Sequence, residues 1–88
     1  MQSGSTTTEF VSSSGMRLKL LLNLVTGPKS PSELATIEKK HMSHVSRALA
    51  ELRSKGLVEY YQSDSRERYY RMTSEGYAVY ALVARVPK

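Results

Sequence analysis

The chain has no cysteine and no tryptophan, and its 88 residues include a single phenylalanine. Without thiols it has neither a disulfide framework nor thiolate ligands for a metal ion. It also has no apolar run near the ~18 residues that a membrane-spanning helix requires, and no basic segment followed by an apolar one, as in a secretory signal peptide. We therefore expect a cytoplasmic protein with no membrane contact.

Acidic residues are few relative to basic ones. The chain carries 13 Lys and Arg against 8 Asp and Glu, for a net charge of +5 and a pI of about 9.7. Residues 39–71 alone contain eight basic and four acidic residues, so most of the excess lies there. This distribution favours an anionic partner. The length suits one domain with one modest core and no separate catalytic domain.

The residue patterns of enzyme active sites are missing as well. We find no glycine-rich phosphate loop, no nucleophile with an oriented base and no suitably spaced carboxylate pair, so we predict no enzyme and no cofactor. His41 and His44 lie three residues apart on a predicted helix and could share a cation. No third ligand is evident near them, and we predict no metal site.

Residues 30–57 predict two helices joined by a tight turn. Ser30, Pro31 and Glu33 form the pattern of a capping box with proline at the first helical position. In the second helix, about residues 41–55, one face carries Val45, Ala48, Leu49 and Leu52. The opposite face carries small, polar and basic residues, namely Ser43, Ser46, Arg47, Ala50 and Ser54. A face of this kind can approach the floor of a DNA major groove.

The residue pattern of the rest of the chain predicts an N-terminal arm, a first and a last helix, and a β-hairpin. Residues 1–14 are rich in Ser and Thr and read as a flexible N-terminal arm. Residues 16–25 form a first helix, and residues 74–86 form a last one that Thr73 or Ser74 caps. Strands over residues 58–62 and 68–72 form a hairpin in which Tyr60 pairs with Tyr70. We expect the tyrosines to pack in the core and sheet rather than to stack on bases.

Three motifs occur in the order and spacing of a known fold: VSRAL at residues 45–49, KGLV at 55–58 and MTSEG at 72–76. Together they resemble winged helix-turn-helix transcriptional regulators of the ArsR and MarR types, and the helix that starts near Arg17 resembles the opening of that family. The resemblance implies an α+β, mainly α fold over residues 15–88, with a recognition helix at about 41–55, a two-stranded wing at about 57–72 and a C-terminal helix at about 74–86. Many relatives have glycine near Lys39, so here an ordinary residue must form the turn.

The same resemblance implies that the partner is double-stranded DNA. The turn, the exposed face of the recognition helix and the wing would supply the contacts. The predicted DNA-binding residues are Lys39, Lys40, Ser43, His44, Ser46, Arg47, Arg66 and Arg68.

The first and last helices each carry a second apolar stripe, which predicts burial against another subunit. The predicted dimer interface comprises Leu18, Leu22, Val79, Leu82, Val83 and Val86. We therefore expect a homodimeric, sequence-specific repressor that acts by promoter occlusion. The alternative is a winged-helix adaptor that binds proteins without sequence-specific DNA binding. Because no His and carboxylate ligand set is evident, the metal-sensing sites of ArsR members are not expected here.

Overall fold

The computed structural model describes residues 9–84. From residue 15 onward the elements are α1 (Gly15–Leu24), α2 (Pro31–Glu38), α3 (Met42–Ser54), β1 (Val58–Gln62), β2 (Arg68–Met72) and α4 (Ser74–Ala84). Three helices followed by a two-stranded antiparallel wing and a further helix confirm the predicted winged helix-turn-helix fold. None of the helices within the described range is long and apolar enough to cross a membrane.

Side chains define where the first two helices begin. The Ser14 hydroxyl accepts the backbone N–H of Arg17 at 3.2 Å and caps α1. At α2 the predicted capping box is confirmed, because the Ser30 hydroxyl accepts the Glu33 N–H and the Glu33 carboxylate accepts the Ser30 N–H at 2.9 Å. Each cap satisfies backbone donors that have no partner within the helix.

One hydrophobic core joins the helices to the base of the wing. The predicted inner face of α3 is confirmed, since Val45, Ala48, Leu49 and Leu52 are all buried. Further buried side chains come from α1, α2 and the start of the wing, namely Leu20, Leu21, Leu24, Leu34, Leu57 and Val58. The core therefore fixes α3 by one face only and leaves the opposite face exposed.

The wing has the predicted register. Tyr60 pairs with Tyr70, and Val58 pairs with Met72 on the core side. Tyr70 is buried, whereas Tyr60 is 37% exposed. A third segment joins the other edge of β2: the Lys29 N–H donates to the Tyr70 carbonyl at 3.0 Å, and the Tyr70 N–H donates to the Lys29 carbonyl at 2.8 Å. The wing is thus hydrogen-bonded to the segment that leads into α2.

The N-terminal segment differs from the prediction. Residues 9–12 are helical, and the Val11 side chain is fully buried in the core. The Arg17 guanidinium donates to the Phe10 carbonyl at 2.7 Å and lies over the Phe10 ring at 3.9 Å from its centroid. The flexible arm predicted for residues 1–14 is therefore wrong from Phe10 onward, because Phe10 and Val11 pack on the core and Ser14 caps α1. Residues 1–8 lie outside the described residues.

The T-x-x-G motif fixes α4 to the end of α3. The Thr73 hydroxyl donates to the Gly56 carbonyl at 2.6 Å and accepts the Gly76 N–H at 3.0 Å, which confirms the predicted cap. Gly76 packs so closely that a Cβ atom there would lie 2.1 Å from the Leu57 carbonyl oxygen. The glycine is needed because helix and backbone approach without room for a side chain.

Candidate nucleic-acid interface

The outward face of α3 carries mainly small or polar side chains that are exposed to solvent. Ser43, His44, Ser46, Arg47 and Ala50 are all exposed, and none of them carries a negative charge. Because the opposite side of the helix packs in the hydrophobic core, the position of this face is fixed by the domain. Its side chains are short enough, except for Arg47, to let the helix approach a groove closely.

The turn between α2 and α3 confirms the expectation for Lys39. This residue adopts the left-handed conformation, with φ 56° and ψ 48°, which glycine adopts most easily. A non-glycine residue in this conformation costs ~1–2 kcal/mol. The backbone N–H of Lys40 donates to the Ala35 carbonyl at 3.0 Å and helps to close the turn. Both lysines are exposed directly before α3.

The basic residues of the predicted interface have no carboxylate partner within residues 9–84. The two ion pairs found there join Arg17 to Glu51 at 2.9 Å and Arg71 to Glu59 at 2.8 Å. Arg47 lies four residues before Glu51, a spacing at which opposite charges on a helix normally attract. Because Arg17 already binds Glu51, the Arg47 guanidinium is left available for an anion.

The wing places its two predicted arginines differently. Arg66 lies in the turn with a φ of 70°, and its N–H donates to the Ser63 carbonyl at 2.9 Å. Arg68 begins β2, and its guanidinium lies 4.3 Å from the centroid of the Tyr60 ring. Hydrogen bonding to the Tyr70 side chain, followed by the charge interactions of the Tyr60 and Tyr70 phenols, raises the pKa of Arg68 above its usual value.

His41 and His44 contact each other edge to face, with their ring centroids 6.1 Å apart. Within residues 9–84, no group of three or more His, Asp or Glu side chains is arranged to hold a metal ion. His41 is the residue before α3 and makes no side-chain hydrogen bond as its cap. Both rings are exposed beside the turn.

The predicted dimer residues fall into three groups. Leu22 and Leu82 are 54% and 55% exposed, whereas Leu18 and Val83 are partly buried against the core. Val79 is only 8% exposed, so its predicted place on the outer surface is wrong. Gly76 must face Leu57, and a residue three positions later shares that inner face. Val86 lies outside the described residues.

All eight predicted DNA-binding residues are exposed, and they occupy two regions, the turn with the outer face of α3 and the wing. The sequence prediction missed the Arg17–Glu51 pair, because partners 34 residues apart are not visible in a local pattern. It also missed Arg53, whose guanidinium lies 4.6 Å from the centroid of the Tyr60 ring. The seven-residue spacing from Ser46, two turns along the same side of α3, is the sequence signal that could have identified it.

Comparisons with known proteins identify the family of the chain. Residues 6–86 match the family model of the N-terminal domain of the methanogenesis regulatory protein FilR1. A comparison with curated proteins found no significant match.

Three solved structures share the fold. A MarR-family transcriptional regulator from Silicibacter pomeroyi is 28% identical, with a TM-score of 0.75, over 81% of this chain and 49% of that one. The transcriptional regulator BldR from Sulfolobus solfataricus is 24% identical, with a TM-score of 0.76, over 80% of this chain and 52% of that one. YusO from Bacillus subtilis is 23% identical, with a TM-score of 0.78, over 81% of this chain and 52% of that one.

The chain thus spans about half the length of the solved structures it matches. The family match covers the whole described fold, from the segment that carries Val11 to the end of α4. The chain therefore belongs to the family of the N-terminal domain of the methanogenesis regulatory protein FilR1, and this domain is a winged-helix module of transcriptional regulators rather than an enzyme.

Proposed function

We propose that the chain is a sequence-specific double-stranded DNA-binding regulator that acts as a homodimer and represses transcription by promoter occlusion. The observation that carries this proposal is the exposed outer face of α3, where Ser43, Ser46 and Ala50 are small and Arg47 has no carboxylate partner in the described structure, since the nearby Glu51 is paired with Arg17. A helix face that is only solvated normally carries Glu and Lys together.

In this proposal α3 enters the major groove. Arg47 makes a bidentate contact with O6 and N7 of a guanine, and the hydroxyls of Ser43 and Ser46 contact neighbouring base edges or phosphates. At the turn before α3, Lys39 and Lys40 contact the phosphate backbone of the DNA beside the groove. His44 lies beside Arg47 on the same exposed side, where its ring can hydrogen-bond a phosphate or base.

The wing orients the protein on the duplex and does not select the base sequence. Arg66 in the turn and Arg68 at the start of β2 contact phosphates or the minor groove. Both are exposed, and neither has a carboxylate partner in the described part of the chain. Contacts of this kind raise affinity for any duplex and make it dependent on salt.

A homodimer would bury the apolar side chains that remain exposed on the first and last helices. Leu22 on α1 and Leu82 on α4 are each more than half exposed, and their burial in a dimer would remove apolar surface from water. A twofold dimer would place two copies of α3 about one helical turn of DNA apart, ~34 Å. Such a dimer covers a promoter site and excludes competing proteins.

A selection from a random duplex library tests the proposal directly. The bound sequences should converge on an inverted repeat, and the purified chain should then bind that site more tightly than a scrambled duplex of the same composition. Specific sites usually exceed nonspecific ones by ~10³-fold or more. Recovery of sequences without a common site would contradict sequence-specific binding.

The adaptor alternative is supported by one specific feature. Ile37 and Met42, on either side of the turn before α3, are 48% and 51% exposed and could anchor a protein partner. Under this hypothesis the chain binds no duplex selectively, and replacing Met42 with Gln abolishes partner binding. Selective binding of the wild-type chain to an operator duplex would contradict the adaptor hypothesis.

A further inference from the structure

Two guanidinium groups lie against one aromatic ring between α3 and the wing. The Cζ atom of Arg53 lies 4.6 Å from the Tyr60 ring centroid, and the Cζ atom of Arg68 lies 4.3 Å from it. All three side chains are exposed to solvent. We refer to these three residues as the Tyr60 cluster. Arginine so close to an aromatic face is held by a cation–π interaction, which limits the conformations of both guanidinium groups.

The charges of the Tyr60 cluster are not neutralised within the described residues. Glu59, the neighbour of Tyr60, binds Arg71 at 2.8 Å. The carboxylate of Glu67, next to Arg68, lies 3.4 Å from the Ser32 hydroxyl. Neither acid forms an ion pair with Arg53 or Arg68. Two cations beside one ring raise the local positive potential, which favours an anionic partner at this surface.

The Tyr60 cluster lies between the two regions of the proposed DNA interface. Arg53 follows Ser46 by seven residues, which places it two turns further along the same flank of α3. Only residues 55–57 separate the end of α3 from β1, so this flank leads directly to the wing. A duplex that contacts both Arg47 on α3 and Arg66 in the wing turn must pass close to this flank.

We propose that Arg53 and Arg68, oriented by Tyr60, bind the phosphate backbone of duplex DNA between the recognition helix and the wing. This inference rests on the proposed function. Arg53 and Arg68 make the contact, and Tyr60 is a positioning residue that holds them in place. Guanidinium groups suit this role because their planar donors match phosphate oxygens in pairs.

A purely structural role for Arg53 makes a different prediction. Arg53 lies in the last turn of α3, where a positive charge interacts favourably with the helix dipole. If this were its only role, replacing Arg53 would lower the melting temperature of the domain. The salt dependence of DNA binding would then equal that of a variant that loses a different positive charge. The two roles are therefore separable by experiment.

The first test compares Arg53→Gln with Lys55→Gln on a duplex of fixed sequence. Both variants lose one positive charge, but Lys55 lies on another flank of the helix, 5.3 Å from the Phe10 ring centroid. Loss of one phosphate contact lowers the slope of log K against log salt by ~0.9. The ratio of the affinities at 50 and 200 mM salt should therefore fall about 3.5-fold for Arg53→Gln and much less for Lys55→Gln. Equal slopes in the two variants would overturn the proposal.

The second test addresses Tyr60. Tyr60→Phe keeps the ring and should bind as the wild type does, whereas Tyr60→Leu should approach the reduced salt slope of Arg53→Gln. The double variant Arg53→Gln with Tyr60→Leu should then have nearly the same salt slope as Arg53→Gln alone. Equal binding by Tyr60→Leu and Tyr60→Phe would show that the ring does not orient the arginines. If Tyr60→Leu fails to fold, Arg53→Gln alone decides.

Failure of this inference differs from failure of the proposed function. A wild-type chain that binds no duplex would contradict both. If Arg47→Ala weakens operator binding while Arg53→Gln behaves like Lys55→Gln, DNA binding stands and only the role of the Tyr60 cluster is rejected.

Discussion

Arg17 on α1 binds Glu51 on α3 through two of its nitrogens, Nε at 3.0 Å and Nη2 at 2.9 Å from the same carboxylate oxygen. The Arg17 side chain is 19% exposed and also bonds the Phe10 carbonyl. The pair therefore joins the N-terminal segment, the first helix and the recognition helix. It also withdraws Glu51 from Arg47, which lies one turn earlier on α3.

We predict that Arg17→Gln acts on DNA binding without any contact with DNA. The change should lower the free energy of unfolding by ~1–2 kcal/mol, because a charge-assisted hydrogen bond in a partly buried site is lost. It should also weaken operator binding severalfold, since the released Glu51 can pair with Arg47. Chemical denaturation and operator titration measure the two effects. The double variant Arg17→Gln with Glu51→Gln should regain the operator affinity of the wild type but not its stability. An affinity no higher than that of the single variant Arg17→Gln would contradict this explanation.

Gly76→Ala should be strongly destabilising. Its Cβ would lie 2.1 Å from the Leu57 carbonyl oxygen, which is backbone and cannot rotate away. Overpacking of this kind costs ~1–3 kcal/mol or more, and a thermal melt measures it. Gly15→Ala is the matched control, because a Cβ there has no atom within 4 Å and alanine favours the helix. Equal melting temperatures for the two variants would show that α4 does not pack as described.

Lys39→Gly should stabilise the domain. The residue has a φ of 56°, and glycine removes the strain of this conformation, so we expect a gain of up to ~1 kcal/mol after the entropy of glycine is included. The same variant loses one candidate phosphate contact and should reduce the salt slope of DNA binding. Lys40→Gly removes an equal charge without a positive φ and should not gain stability. A loss of stability in Lys39→Gly equal to that in Lys40→Gly would rule out strain at the turn.

The proposed dimer can be separated from the core by two substitutions on α4. Leu82→Glu changes a side chain that is 55% exposed, so it should produce monomers with weak operator binding and little change in monomer stability. Val79→Glu places a charge in the core and should unfold the domain instead. Sedimentation and circular dichroism distinguish these outcomes. A wild-type chain that is monomeric at tens of micromolar would contradict the dimer.

Local patterns predicted the parts of this fold that depend on periodicity. The buried side of α3 follows from the spacing of Val45 and Leu49, and the wing register follows from the alternation that pairs Val58 with Met72. Val79 was misplaced because α4 is apolar nearly all round, so its spacing identifies no inner face. The close contact of Gly76 with Leu57 determines that face, and it depends on tertiary structure.

Contacts between distant segments explain the remaining differences. Val11 is buried although serines follow it in the sequence, because Arg17 bonds the carbonyl of the preceding Phe10 and holds the segment against the domain. The DNA-facing residues could be named from their spacing and small size. The Tyr60 cluster could not, since it requires the end of α3 and the wing to lie side by side.

A titration of Arg47→Ala and Arg66→Ala against operator and scrambled duplex at several salt concentrations separates base recognition by α3 from phosphate contact by the wing. Arg47→Ala should cost ~1–3 kcal/mol on the operator and relax the preference at one base pair. Arg66→Ala should weaken both duplexes alike and lower the salt slope by about one unit. If Arg47→Ala binds the operator as tightly and as selectively as the wild type, α3 does not read the DNA as proposed.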